Sequence, residues 1–222
     1  MSKLVKYYFD LMSQPSRALW IALKMGNTPF EECPVALRKR EQLTEEYKKV
    51  NRFQKVPALV DGDFHLSESV AMIRYLADKG LFSPELYPKD LQNRARVDEF
   101  LEWQHLTLRA GCGTYFMRCW LLPMNGLAHM PSQEGIYKLI KEMENNIKLV
   151  EKIWLKDADF VSGKKLTVAD LMGACEIEQT KLCKYDVTKK FPRISDWLAR
   201  VREETNPHYD EAHKFINKKS GL

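Results

Sequence analysis

The spacing of apolar residues changes once along this chain, near residue 80. Before that point, short apolar runs of strand length alternate with helical spacings. Leu4 to Phe9 reads as a first strand ended by Asp10. Ser13-Gln14-Pro15-Ser16 follows, then a helical run carrying Ala18, Leu19, Ile21, Ala22, Leu23 and Met25. Pro15 suits the first turn, where an N–H has no partner anyway, and Gly26 suits the stop. Phe30 to Leu37 predicts a second strand, at an edge because Pro34 cannot donate to a ladder. Thr44 to Val50 predicts a short polar helix. In Lys55 to Tyr75, KVPALVDGDFHLSESVAMIRY, the order is strand, Asp61-Gly62 turn, strand from Phe64 to Leu66, then a helix with Val70, Met72, Ile73 and Leu76 inward. The first half therefore reads βαβαββα, a small mixed sheet with helices on its faces.

Residues 81–89 carry Pro84 and Pro88 with little periodicity and read as a linker. Everything later follows helical spacing. Asp90 to Trp120 predicts one long helix, bent where Gly111 and Gly113 interrupt it. Ile136, Leu139, Ile140, Met143, Ile147, Val150 and Trp154 form a core-facing stripe. Thr167 to Tyr185, Phe191 to Glu204 and Tyr209 to Lys218 complete an all-helical bundle. The expected organisation is an α/β domain over 1–80, the linker over 81–89 and the helical domain over 90–222.

Composition narrows the function classes. The 222 residues are 45% hydrophobic and 29% charged, ordinary for a globular protein. A net charge of +5, with basic residues dispersed among acids, argues against a nucleic-acid surface and fits a small anionic ligand. No apolar run approaches the ~20 residues that span a bilayer. The start, Met1 to Lys6, has no signal-peptide core. The five cysteines (Cys33, Cys112, Cys119, Cys175, Cys183) are scattered, without a CxxC pair. A reducing, cytoplasmic setting is expected, with no disulfide framework and no metal site.

Two stretches can carry chemistry. Ser13 stands between the first strand and the first helix, above strand ends, where α/β proteins bind ligands. A serine there can donate to a bound thiolate, with the helix N-terminus adding partial positive charge; an ordinary N-cap accounts for the same residue. Ser67-Glu68-Ser69 opens the third helix, an end able to hold an anion. A cis Pro57 before it would expose the backbone of Val56 to an extended, carboxylate-bearing ligand. A third stretch, Thr167 to Asp170, has the spacing of a capping box, with Asp in place of Glu or Gln, and reads as folding information.

Together these stretches resemble a cytosolic glutathione transferase, and Ser13 to Ala18, SQPSRA, is similar to the theta class. The resemblance also runs through Lys55 to Pro57, Ser67 to Ser69, Arg94 to Val97 and Leu166 to Leu171. It implies a thioredoxin-like N-terminal domain and an all-helical C-terminal one. It also implies glutathione as co-substrate with no bound cofactor, a homodimer, and conjugation of small hydrophobic electrophiles. Ser13 matches the catalytic serine. Val56 would pair through its backbone with the cysteinyl part, ahead of cis Pro57. Glu68 would face the γ-glutamyl ammonium and Ser69 its carboxylate. Lys55, Gln42 and Leu43 would lie near the glycyl end, and Arg109 would point into the site. Leu11, Met12, Arg109, Cys112, Thr114, Phe116 and Trp120 are the expected electrophile pocket.

Departures from the pattern shape further expectations. Gln42 and Leu43 stand where many relatives carry a histidine or lysine, so glycyl recognition would shift toward Lys55. Leu106 stands where relatives can have a carboxylate. Ending at Leu222, the chain is expected to have a more open electrophile pocket. Phe53 and Arg74 are expected at the dimer interface. Competing readings are a non-catalytic ligand-binding or assembly module of the same fold, and a glutathione-dependent peroxidase.

Overall fold

The computed structural model describes residues 4–221. The N-terminal unit runs β1 (Lys6–Phe9), α1 (Gln14–Met25), β2 (Glu31–Pro34), α2 (Glu45–Val50), β3 (Ala58–Asp61), β4 (Phe64–Leu66) and α3 (Ser69–Asp78). Its sheet has the order β2-β1-β3-β4. β1 and β2 are parallel, so α1 is the crossover between them, while β3 runs antiparallel to both β1 and β4. Tyr7 and Phe9 on β1 point inward and stack at 5.2 Å.

β2 and β3 are both shorter than the segments expected to form them. Past Pro34 the chain turns away from the sheet, and Leu37 donates its N–H to Asp10 at 3.0 Å. Ahead of β3, Val56 and Pro57 are joined by a cis peptide, and the ladder begins at Ala58.

The helical unit comprises α4 (Leu91–Leu106), α5 (Leu108–Phe116), a π-helical turn (Met117–Leu121), α6 (Leu122–Met124), α7 (Gln133–Leu149), α8 (Val168–Glu178), α9 (Pro192–Thr205) and α10 (His208–Ser220). The long helix expected over 90–120 does break, but at Thr107 (φ −118°, ψ −82°), not at its glycines. The Thr107 carbonyl accepts the Gly111 N–H at 2.9 Å as the first bond of α5, and Asn146 of α7 also donates to it at 3.0 Å. Gly111 serves a different purpose: a Cβ there would lie 2.6 Å from Asn146 Nδ2 and 3.2 Å from Met143 Cα. It lets α7 approach.

Residues 81–89 carry neither helix nor strand, yet they are no loose tether. Leu81, Phe82, Leu86 and Tyr87 are buried, and Val168 donates its N–H to Leu86 at 2.9 Å. Gly26 belongs to this contact, since a Cβ there would lie 2.1 Å from the Leu81 carbonyl oxygen. One continuous apolar core runs from β1 through α8 to α10, with α1 packed against α8.

The capping box forms as the spacing predicts. Thr167 and Asp170 cap the start of α8 reciprocally. Asp170 also accepts from Val161 N at 2.8 Å and from Trp197 Nε1 at 2.9 Å. Burial pushes this carboxyl up to about 6 against the pull of those donors.

Candidate active site

Ser13 occupies the N-cap of α1, in extended conformation, because the chain leaves β1 through a turn that Asp10 closes. Asp10 accepts from the N–H of Met12 at 2.8 Å. The Ser13 oxygen takes the Ser16 N–H only at 3.5 Å, a long cap bond. No acceptor engages its O–H among the described residues, so the hydroxyl is available to a ligand. The neighbouring Tyr7 is not an alternative donor. It is fully buried, donates to the Ser16 carbonyl at 2.9 Å, and burial raises its phenol well above the usual range.

A second group of expected residues clusters around Asn51. Its amide donates to the Lys55 carbonyl at 2.7 Å, while its oxygen accepts from Phe53 N at 2.9 Å and Ser67 Oγ at 2.8 Å. Tyr47 donates its hydroxyl to the same Lys55 carbonyl at 2.8 Å. This network ties the Lys55 carbonyl, just before Val56, to Ser67, just before Glu68 and Ser69 at the start of α3. Glu68 holds φ 71° there, and Gln54 and Arg40 have φ 53° and 60°. Non-glycine residues in that region cost free energy and collect at functional sites.

Beside Ser13 opens a cavity of about 1030 Å³, lined by Met12, Gln14, Gln42, Leu43, Arg109, Thr114, Phe116 and Trp120, among others. This exceeds the ~300–1,000 Å³ usual for small-molecule sites, so it has room for more than one reactant. Phe116 and Trp120 stack at 5.5 Å and form an aromatic wall. Lys55, Val56, Glu68 and Ser69 do not line this cavity; Lys55 and Glu68 are exposed, Val56 and Ser69 half-buried.

Two expected pocket residues are misplaced. Cys112 is fully buried, with its thiol pushed well above the usual range, and does not line the cavity. Helical geometry explains this: Arg109, Gly113 and Phe116 share the cavity face of α5, and Cys112 falls on the packed face. Leu11 also stays outside; its carbonyl accepts from Arg17 Nη1 at 2.8 Å.

Arg109 reaches the cavity but not as a free charge. It pairs with Glu176 of α8, whose side chain is completely buried. Burial raises the Glu176 carboxyl, and Arg109 counters that shift. Neither Glu176 nor Arg17 was legible as a site residue. Arg17 is fully buried and donates to Met12 O at 3.3 Å, Cys175 O at 2.9 Å and Gln179 Oε1 at 2.6 Å. It ties the segment carrying Ser13 to the helical unit. The one signal in the sequence is a cation inside the apolar run of α1.

The family model "Glutathione S-transferase, N-terminal domain" matches residues 4–78, and "Glutathione S-transferase, C-terminal domain" matches residues 128–204. Mouse glutathione S-transferase theta-1 is 37% identical over 215 residues, 96% of this chain and 89% of the relative. The apo structure of human glutathione S-transferase T1-1 superposes with a TM-score of 0.90 at 35% identity, covering 98% of this chain and 91% of that one. A human theta-class transferase, in complex with the glutathione conjugate of 1-menaphthyl sulfate, gives a TM-score of 0.90 at 33% identity, covering 98% and 88%. With a serine capping the first helix, a cavity beside it and these likenesses over nearly its whole length, the chain belongs to the glutathione S-transferase family, in its theta class.

Proposed function

We propose that this enzyme conjugates glutathione to small hydrophobic electrophiles, with the Ser13 hydroxyl donating to the reacting sulfur. The observation that carries this reading is an acceptor-free hydroxyl at a helix N-terminus, on the wall of a largely apolar cavity. An ordinary thiol has a pKa of ~8.5, so only a few per cent is ionised at neutral pH. Lowering it by about two units takes roughly 2.7 kcal/mol of preferential thiolate stabilisation. One charge-assisted hydrogen bond contributes on the order of 1.5–3 kcal/mol, and the helix end adds to it. The thiol proton passes to water, the C–S bond forms, and the leaving group departs with its electron pair.

In this reading, Val56 pairs through its backbone with the cysteinyl part of glutathione. Glu68 and Ser69 hold the γ-glutamyl end, and Lys55 and Gln42 stand by the glycyl end. Support comes from the Asn51 network that holds these segments together. Ser13→Ala is expected to lower turnover of a benzylic halide about 10–100-fold, the loss of that hydrogen bond, with glutathione affinity mostly kept. Unchanged turnover would remove Ser13 from its role.

The same thiolate can reduce hydroperoxides, so peroxidase turnover is a secondary activity of this reading. A binding module without turnover would show glutathione affinity and no conjugation across alkyl halides, aryl halides, epoxides and unsaturated carbonyls. The reading also includes a cytoplasmic homodimer. Phe53 is 52% exposed and free to enter an interface. Arg74, by contrast, is engaged within its own chain by Asp98 and Glu102. Sedimentation of the wild type against Phe53→Ser tests the dimer.

A further inference from the structure

The cavity wall is strongly one-sided in charge. It carries Arg38, Arg40, Arg109 and Arg118, together with His105, and no aspartate or glutamate. Arg109 is compensated by buried Glu176. Arg38, Arg40 and Arg118 have no carboxylate partner among the described residues. Arg38 instead rests on the Phe215 ring, its guanidinium carbon 4.7 Å from the centroid, which limits where it can swing. Between these cations the wall is apolar, with Met117, Trp120 and Leu121. A neutral hydrophobic electrophile would fill the apolar part and leave three uncompensated cations facing it. An electrophile with an apolar body and its own oxyanion matches both.

Resting on the transferase reading above, we propose that Arg38, Arg40 and Arg118 select electrophiles bearing a permanent oxyanion, such as a carboxylate, remote from the reacting carbon. The anion is not the leaving group. In 4-(bromomethyl)benzoate the glutathione sulfur displaces bromide from the benzylic carbon: the C–S bond forms and bromide leaves with the bonding pair. The thiol proton goes to water, and the carboxylate persists in the product. All three cations are solvent-exposed, so each contributes only a few-fold, and together about tenfold at low salt.

The test compares 4-(bromomethyl)benzoate with its methyl ester, each with glutathione and corrected for the uncatalysed rate. In the wild type, kcat/KM for the carboxylate is expected to exceed that for the ester about tenfold at low ionic strength, the ratio falling toward one in 0.5 M salt. Arg38→Gln/Arg40→Gln/Arg118→Gln is expected to collapse the ratio. A wild-type ratio near one, or a ratio the triple variant leaves intact, overturns the proposal and leaves the transferase reading standing. A triple variant that raises KM for glutathione at an unchanged ratio also overturns it, assigning these cations to the glycyl carboxylate. If neither compound is turned over while glutathione still binds, this inference fails, and the wider panel of alkyl halides, aryl halides, epoxides and unsaturated carbonyls decides the transferase reading.

Discussion

Arg17 on α1 donates to the side-chain oxygen of Gln179 at 2.6 Å, and Gln179 in turn donates to the Met12 carbonyl at 3.1 Å. The two side chains thus close a loop between the domains, directly behind the segment that presents Ser13. Arg17 also lowers His213, which burial already holds well below its usual range. The buried guanidinium is balanced by carbonyl and amide oxygens, which makes it expensive to remove.

Arg17→Met is therefore expected to destabilise the protein by about 3 kcal/mol, the cost of stripping charge-assisted bonds from buried acceptors. Urea unfolding measures it. A second readout is turnover, because Met12 and Ser13 lose their support from α8. A stable variant with native turnover would show that the junction does not position the site.

Arg109→Ala should act on stability before it acts on chemistry. It leaves Glu176 as an unpaired buried carboxylate, at a cost of about 3–5 kcal/mol when ionised. The variant raises the folded-state Glu176 pKa further above its unfolded value. Stability is then fully present below the unfolded pKa and lost as pH rises through the folded one. Thermal melts should show a larger deficit at pH 8 than at pH 5, and Arg109→Ala/Glu176→Leu should recover most of it. Equal deficits at both pH values would dissolve the coupling.

Asp170 makes a separate pH prediction. Its folded pKa of about 6 lies above the ordinary carboxylate value, so its contribution is complete below pH ~4 and fades as pH rises through 6. Relative to Asp170→Asn, which cannot titrate, wild-type stability should fall by about 3 kcal/mol between pH 4 and 7. Denaturant midpoints across that range decide it. A flat difference would mean the four donors hold the carboxylate ionised throughout.

Gly111→Ala should cost about 1–3 kcal/mol by pushing α7 off α5. Gly113→Ala, where nothing lies within 4 Å of the added Cβ, should be neutral or slightly stabilising. Comparing the two melts separates close packing from helix propensity.

What the sequence determined by itself is the local grammar. The Asp61-Gly62 hairpin, the Pro15 helix start, the capping box at Thr167 and Asp170 and the stripe on α7 all depend on residues within a few positions of one another. The family followed from the order and spacing of such stretches, and Ser13 from its place after β1. The tertiary structure decided everything that depends on which face meets which. It put the helix break at Thr107, whose carbonyl takes Asn146 of α7 as a second donor, and turned Gly111 into a packing site. Cys112 and Leu11 were kept out of the cavity, Glu176 was brought under Arg109, and Arg17 was spanned across 162 residues to Gln179. A buried charge is stable only beside its partner, and partners so distant in the chain leave no periodic trace in it.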